Sequence, residues 1–253
     1  MVNIKSEREI ELMKKAGYAV GKAFQNIKDN IKPGMSTLDI DKIVEQTFLE
    51  NGCTSAEKGY YDYPANACVS VNEELVHGIP SSRKILKEGD IVSVDLVANY
   101  QGYMADACRT FAVGKLSLRA ESLVKVTKDA FFIGLEQVKV GNTIGDISHA
   151  IQSYVEAHGY NVTRDYTGHG IGAHMHEDPS IPNYGKAGTG MRITSGMTLA
   201  IEPMVLEGKK DIRVLPDGWT AVSKDKKLTA HYENTVVVKS DGIEIITMYE
   251  GEE

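Results

Sequence analysis

The feature that most constrains the fold is an internal repeat, in which two blocks of sequence recur after 107 residues. The segment Ile31–Ile40, Ile-Lys-Pro-Gly-Met-Ser-Thr-Leu-Asp-Ile, is echoed by Val138–Ile147, Val-Lys-Val-Gly-Asn-Thr-Ile-Gly-Asp-Ile. The segment Glu88–Asp95 matches Ser195–Glu202 at the same spacing. One short match arises easily by chance, but two blocks at one spacing indicate a duplication.

Each copy of the repeat reads as two helices followed by a β-hairpin. Capping-box patterns at Ser6-x-x-Glu9 and Ser36-x-x-Asp39 predict helices over about 7–29 and from about 36 to 51. Two such units supply two helix pairs on one face of a curved, mainly antiparallel sheet, which is an α+β arrangement. We therefore expect a single domain over residues 1–253, with halves of approximately 1–112 and 113–253.

The hairpin of the first half carries two aspartates. Two β-rich runs flank Asn99-Tyr-Gln-Gly102, which is typical of a tight turn. If Asn99 pairs with Gly102, Asp95 and Asp106 fall directly opposite each other on one face, with Cβ atoms roughly 5 Å apart. Carboxylates so placed repel each other unless one is protonated or a cation lies between them. We predict a cation; the alternative is a pair of solvated aspartates on an edge strand.

The second half supplies the corresponding carboxylates. Glu202 stands at the repeat position of Asp95, whereas Arg213 stands where a counterpart of Asp106 would fall. The next strand-like run after Glu202 contains Glu233, which we predict to be its partner. Clefts commonly form where two halves of a molecule meet, so we expect the four carboxylates to converge there.

A glycine-rich segment, 167–179, contributes the histidines His169, His174 and His176. Glycines on both sides of His169 leave its imidazole uncrowded. Four carboxylates and one histidine are more ligands than one ion needs, but they suit two divalent ions roughly 3.5 Å apart. Such a set favours Mn, Fe(II) or Co over a structural zinc. The ion pair generates a bridging hydroxide in phosphatases, nucleases and aminopeptidases alike, so it does not name a substrate.

The motifs taken together resemble those of type I methionine aminopeptidases, in peptidase family M24. The resemblance rests on the spacing of Asp95 and Asp106, His169 in Gly-His-Gly-Ile-Gly, Glu202 in Ile-Glu-Pro and Glu233 in His-Tyr-Glu-Asn-Thr. It covers essentially the whole chain and implies the pita-bread fold. It also implies a cofactor of two divalent metal ions, which could be Co, Mn, Fe(II) or Zn.

The resemblance further implies a role for each metal ligand. Asp95 would bind one ion, His169 and Glu202 the other, and Asp106 and Glu233 would bridge both. The implied reaction removes an N-terminal methionine that precedes a small second residue. A metal-bridged hydroxide attacks the scissile carbonyl, and Glu202 passes a proton to the leaving amine.

Residues outside the ligand set also resemble the family. His77, within Val71-Asn-Glu-Glu-Leu-Val-His-Gly-Ile-Pro80, and His176 would contact the substrate and the tetrahedral intermediate, with His176 stabilising the oxyanion. Aromatic and thiol side chains, which suit a thioether, would line or border the methionine pocket: Tyr60, Tyr63, Cys68, Tyr166 and Trp219. Two residues depart from the family pattern and put the pocket's shape in question. Met175 replaces a common aromatic, and Glu57 replaces a small residue or cysteine.

Composition limits the partners of the protein. The formal net charge of −7 argues against nucleic-acid binding, and no apolar run approaches the length of a membrane span. Three cysteines without metal-finger spacing, and a charged N-terminus, favour a cytoplasmic location. We expect a monomer that acts on the N-termini of nascent polypeptides. Ribosome association fits that role, although no patch in the sequence indicates it.

Three alternative functions remain to be weighed. A proline-specific aminopeptidase of the same fold would share the ligands, but such enzymes usually carry an extra N-terminal domain, whereas this chain starts directly with the repeat. A catalytically silent binding module would be expected to lose at least one ligand. A dinuclear phosphoesterase would need an Arg or Lys cluster to hold phosphate, and none accompanies the motifs.

Overall fold

Each half of the molecule begins with a pair of helices in the computed structural model, which describes residues 2–252. The helices are α1 (Glu7–Asn30), α2 (Thr37–Glu50), α3 (Leu118–Leu135) and α4 (Ile144–Ala157). Both bounds of α4 lie 107 residues after those of α2. Capping boxes begin α1, α2 and α4, which confirms the two helices predicted in the first half. Within residues 2–252, no helix combines the length and apolar character needed to cross a lipid bilayer.

The strands of the described residues are β1 (Thr54–Ser55), β2 (Cys68–Val71), β3 (Glu74–Val76), β4 (Ile91–Tyr100), β5 (Tyr103–Ala112), β6 (Asn161–Val162), β7 (Thr167–Gly170), β8 (Glu177–Pro182), β9 (Thr198–Ile201), β10 (Met204–Leu206), β11 (Ile212–Val214), β12 (Ala221–Ser223), β13 (Thr229–His231), β14 (Asn234–Val238) and β15 (Ile243–Ile245). They form four sheets within residues 2–252, and every paired strand is antiparallel to its neighbour. The two larger sheets, β1-β4-β2 with β5 against β4, and β15-β14-β9-β7-β8, belong mainly to the first and second halves; the three-stranded sheets β13-β10-β6 and β11-β12-β3 complete the set.

The helices cover the sheets through two apolar cores, one for each half. Phe24 and Ile27 of α1 are fully buried in a cluster that also contains Leu96 of β4. Phe131 of α3 and Ile147 of α4 are fully buried in a second cluster with strands of the second half. Helices packed on antiparallel sheets are the predicted α+β class, which the structure confirms.

The two halves meet along β5 and β14, where candidate site residues lie. The Thr235 hydroxyl accepts a hydrogen bond from the backbone N–H of Asp106 (2.9 Å) and donates one to its carbonyl (2.8 Å). The backbone N–H of Glu233 donates to the carbonyl of Cys108 at 3.0 Å. The main chain of Asp106 and that of Glu233 are therefore fixed by contacts across the junction.

Close packing of α1 against the residue that follows β15 gives the first testable prediction. A Cβ atom at Gly17 would lie 2.0 Å from the carbonyl oxygen of Ile246. Alanine gains about 1 kcal/mol in helix propensity, but a forced shift of the backbone outweighs that gain. We expect Gly17→Ala to lower the free energy of unfolding by about 1–3 kcal/mol in denaturant titrations. Gly242→Ala is the control because no heavy atom lies within 4 Å of its added Cβ; equal stability of the two variants would contradict this packing.

Candidate metal centre

The turn of the first hairpin differs from the prediction. Tyr100 pairs with Tyr103, so the turn consists of Gln101 and Gly102 alone, and the predicted pairing of Asn99 with Gly102 is wrong. Both turn residues have positive φ, 52° for Gln101 and 87° for Gly102. That conformation matches the right-handed twist of a two-residue hairpin turn. The predicted register has an equally short turn but would require positive φ at Tyr100 and Gln101, neither of which is glycine, whereas the observed register places Gly102 in the turn.

The two hairpin aspartates consequently lie diagonally rather than directly opposite each other. Asp95 faces Cys108 across the ladder, and Asp106 faces Val97. The predicted direct opposition is therefore wrong. Because the register differs by two residues and side chains alternate with a period of two, both aspartates still point to the same face of the sheet. Diagonal neighbours lie within reach of a shared ligand.

In the second half, by contrast, two carboxylate residues do lie directly opposite each other. Glu202 follows β9 immediately, and Glu233 immediately precedes β14. The last ladder pair before them is Ile201 with Asn234, and the β10–β13 ladder continues in the same register beyond them. The two glutamates thus sit opposite each other at a gap between two ladders, which agrees with the partnership expected from the sequence.

His169 of β7 brings the nitrogen donor to these carboxylates. Its Nδ1 lies 2.9 Å from the carbonyl oxygen of Gly170, to which it can donate. That bond leaves the Nε2 lone pair free, 3.5 Å from Glu202 Oε1 and 3.7 Å from Asp106 Oδ2. Burial, and next the neighbouring His176, lower the pKa of His169 to about 4. The imidazole is therefore neutral at pH 7, which is the form that binds metals.

The glycines beside His169 are needed for close packing as well as for freedom of the ring. A Cβ at Gly168 would lie 2.5 Å from the Ala200 carbonyl oxygen, and one at Gly170 would lie 2.1 Å from the Asp178 carbonyl oxygen. Larger residues would therefore displace β9 or the segment of β8. The Gly-His-Gly motif therefore allows β7, which carries His169, to pack closely between β9 and β8.

The donor atoms of the cluster fit a bound cation. Asp95 Oδ1, Asp106 Oδ1 and Glu233 Oε1 are buried and have no hydrogen-bond partner among residues 2–252. Donor atoms of Asp106, His169 and Glu233 lie within 4.8 Å of one another. Buried polar atoms without partners are costly, and oxygen donors with one imidazole suit divalent first-row metals. The residues present therefore fit a divalent metal centre.

Burial and mutual repulsion act on all four carboxyl groups in the metal-free protein. Desolvation raises the pKa of Asp95 to about 7, and desolvation followed by the Asp95 charge raises the pKa of Asp106 well above its usual range. Desolvation, with the neighbouring carboxylates next, likewise raises the pKa of Glu202 and of Glu233. Such groups bind protons more tightly in the folded state than in the unfolded chain, where carboxyl pKa values are about 4.

These shifts predict how stability of the metal-free protein depends on pH. Groups with raised folded pKa values favour folding at low pH, and the contribution is lost as pH rises from about 4 through the folded pKa. We expect the free energy of unfolding of chelator-treated protein to fall between pH 7 and 8.5, by up to about 1.4 kcal/mol per pH unit per group, and the melting temperature to fall with it. Below pH 7 the buried histidines act in the opposite sense, because their pKa values are lowered in the folded state. Added Mn(II) should remove most of this fall, because cations favour the charged carboxylates. A metal-free melting temperature that rises over this range would contradict the arrangement.

The two outer histidines line the same cavity as the cluster. His176 is exposed, its ring centroid is 4.4 Å from that of His169, and its Nδ1 is 3.0 Å from the Tyr60 hydroxyl. His77 adopts a left-handed backbone conformation (φ 61°) and packs edge-on against Tyr166 at a centroid distance of 5.1 Å. Strained backbone of this kind persists only where the surrounding structure holds it.

All the residues to which the family resemblance assigns a role line one cavity of about 190 Å³. Besides Val76, Val97, Thr167 and Met204, the lining comprises the five ligand candidates, the outer histidines, the pocket residues and both departures from the family pattern: Asp95, Asp106, His169, Glu202, Glu233, His77, His176, Tyr60, Tyr63, Cys68, Tyr166, Trp219, Glu57 and Met175. Tyr63, Cys68 and Trp219 form an apolar cluster at one part of the wall. His174 is exposed and is not among the lining residues.

Sequence reasoning passed over one residue at the centre of the site. His231 is buried, and its Nε2 lies 3.7 Å from Glu202 Oε2 and 3.6 Å from Glu233 Oε2. That nitrogen has no hydrogen-bond partner among residues 2–252. The signal was its position two residues before Glu233 in an extended segment, which places both side chains on one face.

Comparisons with known proteins place this geometry in a family. The model for metallopeptidase family M24 matches residues 11–240. A methionine aminopeptidase of Clostridium acetobutylicum is 49% identical over 250 residues, covering 99% of this chain and 100% of that protein. Methionine aminopeptidase 1 of Bacillus subtilis is 44% identical over 247 residues, covering 98% of this chain and 99% of the relative.

Solved structures give the same answer. The crystal structure of a methionine aminopeptidase from Thermotoga maritima superposes with a TM-score of 0.97 at 48% identity, covering 98% of this chain and 100% of that one. The prolidase from Pyrococcus furiosus superposes with a TM-score of 0.79 at 25% identity, covering 98% of this chain and 66% of that one. The pita-bread fold expected from the motifs is therefore confirmed. This chain belongs to metallopeptidase family M24.

Proposed function

We propose that this protein is a metal-dependent aminopeptidase that removes the N-terminal methionine of polypeptides with a small second residue. The observation that carries the proposal is the near full-length likeness to methionine aminopeptidases, at 49% and 44% identity in the two relatives above. The cavity supports it, because the candidate metal ligands and the aromatic and thiol residues of the proposed methionine pocket line the same space. We also propose that residues 1–253 act as one catalytic domain, since residues from both halves line that space.

We propose that five side chains hold two divalent ions. The ligands are Asp95, Asp106, His169, Glu202 and Glu233 in the roles that the family resemblance implies. Bound ions of this kind polarise the scissile carbonyl and supply hydroxide at neutral pH. The support from this chain is its unpartnered carboxylate oxygens and the free Nε2 of His169.

His176 is proposed to stabilise the oxyanion through its Nε2–H. The Tyr60 hydroxyl lies 3.0 Å from Nδ1, and we propose that it donates to this nitrogen, which places the proton of the neutral ring on Nε2. Partial desolvation in the cavity wall lowers the pKa of His176 and raises that of Tyr60, so both groups keep this protonation state near neutral pH. A fixed donor aimed at developing negative charge stabilises the transition state more than the substrate.

Glu202 and His77 complete the proposed chemistry. Glu202 passes a proton to the leaving amine, for which its position between His169 and His231 in the cavity wall is suitable. His77 contacts the substrate from the cavity wall, where Tyr166 packs edge-on against its ring. Burial lowers the pKa of His77 to about 4, so it acts as a neutral hydrogen-bonding group.

The methionine side chain is proposed to enter the aromatic part of the cavity. The Tyr63 and Trp219 rings meet edge to face at a centroid distance of 5.0 Å, beside the buried Cys68. Aromatic edges and thiols are favourable neighbours for a thioether sulfur. Tyr60, Tyr166 and Met175 extend this wall.

In the cell, we infer that the substrates are nascent polypeptides in the cytoplasm and that the protein acts as a monomer. The negative net charge is consistent with the absence of a nucleic-acid partner. Ribosome association would bring the cavity to its substrates, and co-sedimentation of the purified chain with ribosomes at low and physiological salt tests it.

The proposed function is tested with two peptides, Met-Ala-Ser and Ala-Pro-Ser. The protein is stripped with chelator and then supplied with Mn(II), Co(II), Zn(II) or, anaerobically, Fe(II). We expect metal-dependent release of methionine from the first peptide alone. Release of alanine from the second peptide would assign the chain to the proline-specific enzymes of the same fold. Failure to cleave either peptide, in folded protein that binds metal, would favour a binding module.

A further inference from the structure

A buried ion pair joins β5 to the segment that follows β15. The guanidinium of Arg109 forms two hydrogen bonds with the carboxylate of Glu252, one from Nε to Oε1 and one from Nη2 to Oε2 (2.9 Å). Both side chains are nearly enclosed, with 5% of Arg109 and 4% of Glu252 exposed. A pair of parallel hydrogen bonds fixes the orientation of a guanidinium as well as its position. Glu252 therefore determines how Arg109 is held.

The same guanidinium contacts the main chain of a proposed metal ligand. Its Nη1 donates to the carbonyl oxygen of Glu233 and to that of Cys108 (2.9 Å). Its Nη2 also donates to the side-chain oxygen of Asn234, the residue after Glu233 (2.7 Å). With the two bonds to Glu252, all five N–H donors of the guanidinium are engaged. Arg109 thus fixes the main chain on which Glu233 is carried.

Aromatic rings surround the rest of the guanidinium. The Cζ atom of Arg109 lies 4.9 Å from the centre of the Phe24 ring and 4.3 Å from that of the Tyr232 ring. The Tyr232 hydroxyl donates a further hydrogen bond to the Glu252 carboxylate (3.2 Å). When one partner of such a buried pair is removed, the other is left as an uncompensated charge, which is strongly unfavourable. Without Glu252, Arg109 would move out of this position or remain there unpaired.

The charge of Arg109 also matters to any cation bound nearby. Arginine stays protonated in proteins, so the guanidinium charge is permanent. Its contact with the Glu233 carbonyl places that charge close to a proposed metal ligand, and like charges repel strongly where the local dielectric constant is low. The carboxylate of Glu252 makes the pair neutral overall. Loss of Glu252 would therefore disfavour divalent ions by displacing a ligand and by exposing them to a positive charge.

We propose that Glu252 is a positioning residue for the metal centre, which holds Arg109 against the main chain of Glu233 and offsets the guanidinium charge, so that the centre keeps its affinity for divalent ions. The inference rests on the proposed function, because it takes Glu233 to be a metal ligand. Groups that orient a ligand from outside the ligand set typically change metal affinity by roughly tenfold to a hundredfold when they are removed.

The test measures the dissociation constant for Mn(II) in chelator-stripped protein, with the free ion counted by EPR spectroscopy. It is made at a temperature at which thermal melts show each variant to be folded, so a loss of stability alone does not alter it. We expect Glu252→Ala to raise the constant about tenfold or more and to shift the visible absorption bands of Co(II)-loaded protein. Gly17→Ala, which should lower stability at another contact, and Glu250→Ala, on the exposed surface, are the controls and should bind Mn(II) like wild type.

Acetate provides a second arm of the test. It has the atoms that Glu252→Ala removes, and both Arg109 and Glu252 line a cavity of about 600 Å³, which gives a small carboxylate room beside the guanidinium. We expect acetate, compared with chloride at equal ionic strength, to restore the Mn(II) affinity of Glu252→Ala and to leave that of wild type unchanged. Such rescue separates the role of the carboxylate from that of side-chain packing.

The outcomes separate this inference from the function on which it rests. Mn(II) affinity in Glu252→Ala equal to that of wild type would overturn the role of Glu252, and so would a loss that Gly17→Ala shares or that acetate does not restore. Should Glu252→Ala fail to fold, Glu252→Gln, which keeps the size but not the charge, decides the matter: weaker binding is expected, and an unchanged constant would overturn the role. Wild-type protein that binds Mn(II) but releases no methionine from Met-Ala-Ser would instead overturn the proposed function.

Discussion

Asp106→Asn is expected to reduce methionine release to the background of the assay while the protein stays folded. The asparagine keeps the size of the side chain but removes the charge with which Asp106 is proposed to bridge two ions. The fold should survive because the main chain of Asp106 is held by the Thr235 hydroxyl, whereas its Oδ1 makes no hydrogen bond within residues 2–252. Activity, bound metal and the melting temperature would be measured on the same preparation.

The metal-free form gives this variant a second signature. Removing one of several buried, mutually repelling carboxyl groups should raise the melting temperature of chelator-treated protein relative to wild type at pH 8. Asp29→Asn, on the exposed surface of α1, is the matched control and should change neither activity nor metal content. Turnover retained in Asp106→Asn would overturn the bridging role; a collapsed fold would contradict the inference that its side chain is not structural.

His176→Ala is expected to lower kcat by about a hundredfold to a thousandfold and to leave the metal content unchanged. The reason is geometric: His176 is proposed to donate to the oxyanion and lies outside the ligand set, with its Nδ1 engaged by Tyr60. A group that acts on the transition state reduces kcat more than it raises KM. Metal analysis alongside steady-state kinetics separates this role from that of a ligand.

Two further variants sharpen the interpretation of His176. Tyr60→Phe should cause a smaller loss of kcat, because the imidazole remains but its tautomer is no longer fixed by the hydroxyl. His174→Ala should be inert, since His174 is exposed and does not line the cavity. Loss of metal in proportion to loss of rate in His176→Ala would move that residue into the ligand shell.

The helices were predictable because their signals are local. Ser6 with Glu9, and Ser36 with Asp39, form the capping boxes that their spacing indicates. The hairpin register was not predictable, because the sequence Asn-Tyr-Gln-Gly does not determine which two residues adopt positive φ. Gln101 does so in the structure, and few non-glycine residues do. The predicted register differed from the observed one by two residues, so the prediction of the face on which Asp95 lies was still correct.

Some residues of the candidate site could likewise be predicted from the sequence, and others could not. Glu202 could be found through the repeat, and the motifs with the family resemblance named every lining residue of the cavity except Val76, Val97, Thr167 and Met204. His231 could not be found in this way, because its place in the site depends on what surrounds its side chain. It stands out only once its Nε2 is seen to lack a hydrogen-bond partner among residues 2–252.

The most direct test of the central claim measures methionine release from Met-Ala-Ser against the number of Mn(II) ions bound per chain. Chelator-stripped protein is titrated with Mn(II), and free and bound ion are counted at each point. We predict no release from stripped protein, a rate that rises with bound ion, and saturation at about two ions per chain. Full activity in the stripped protein, or binding of Mn(II) that leaves the rate at background, would contradict the account.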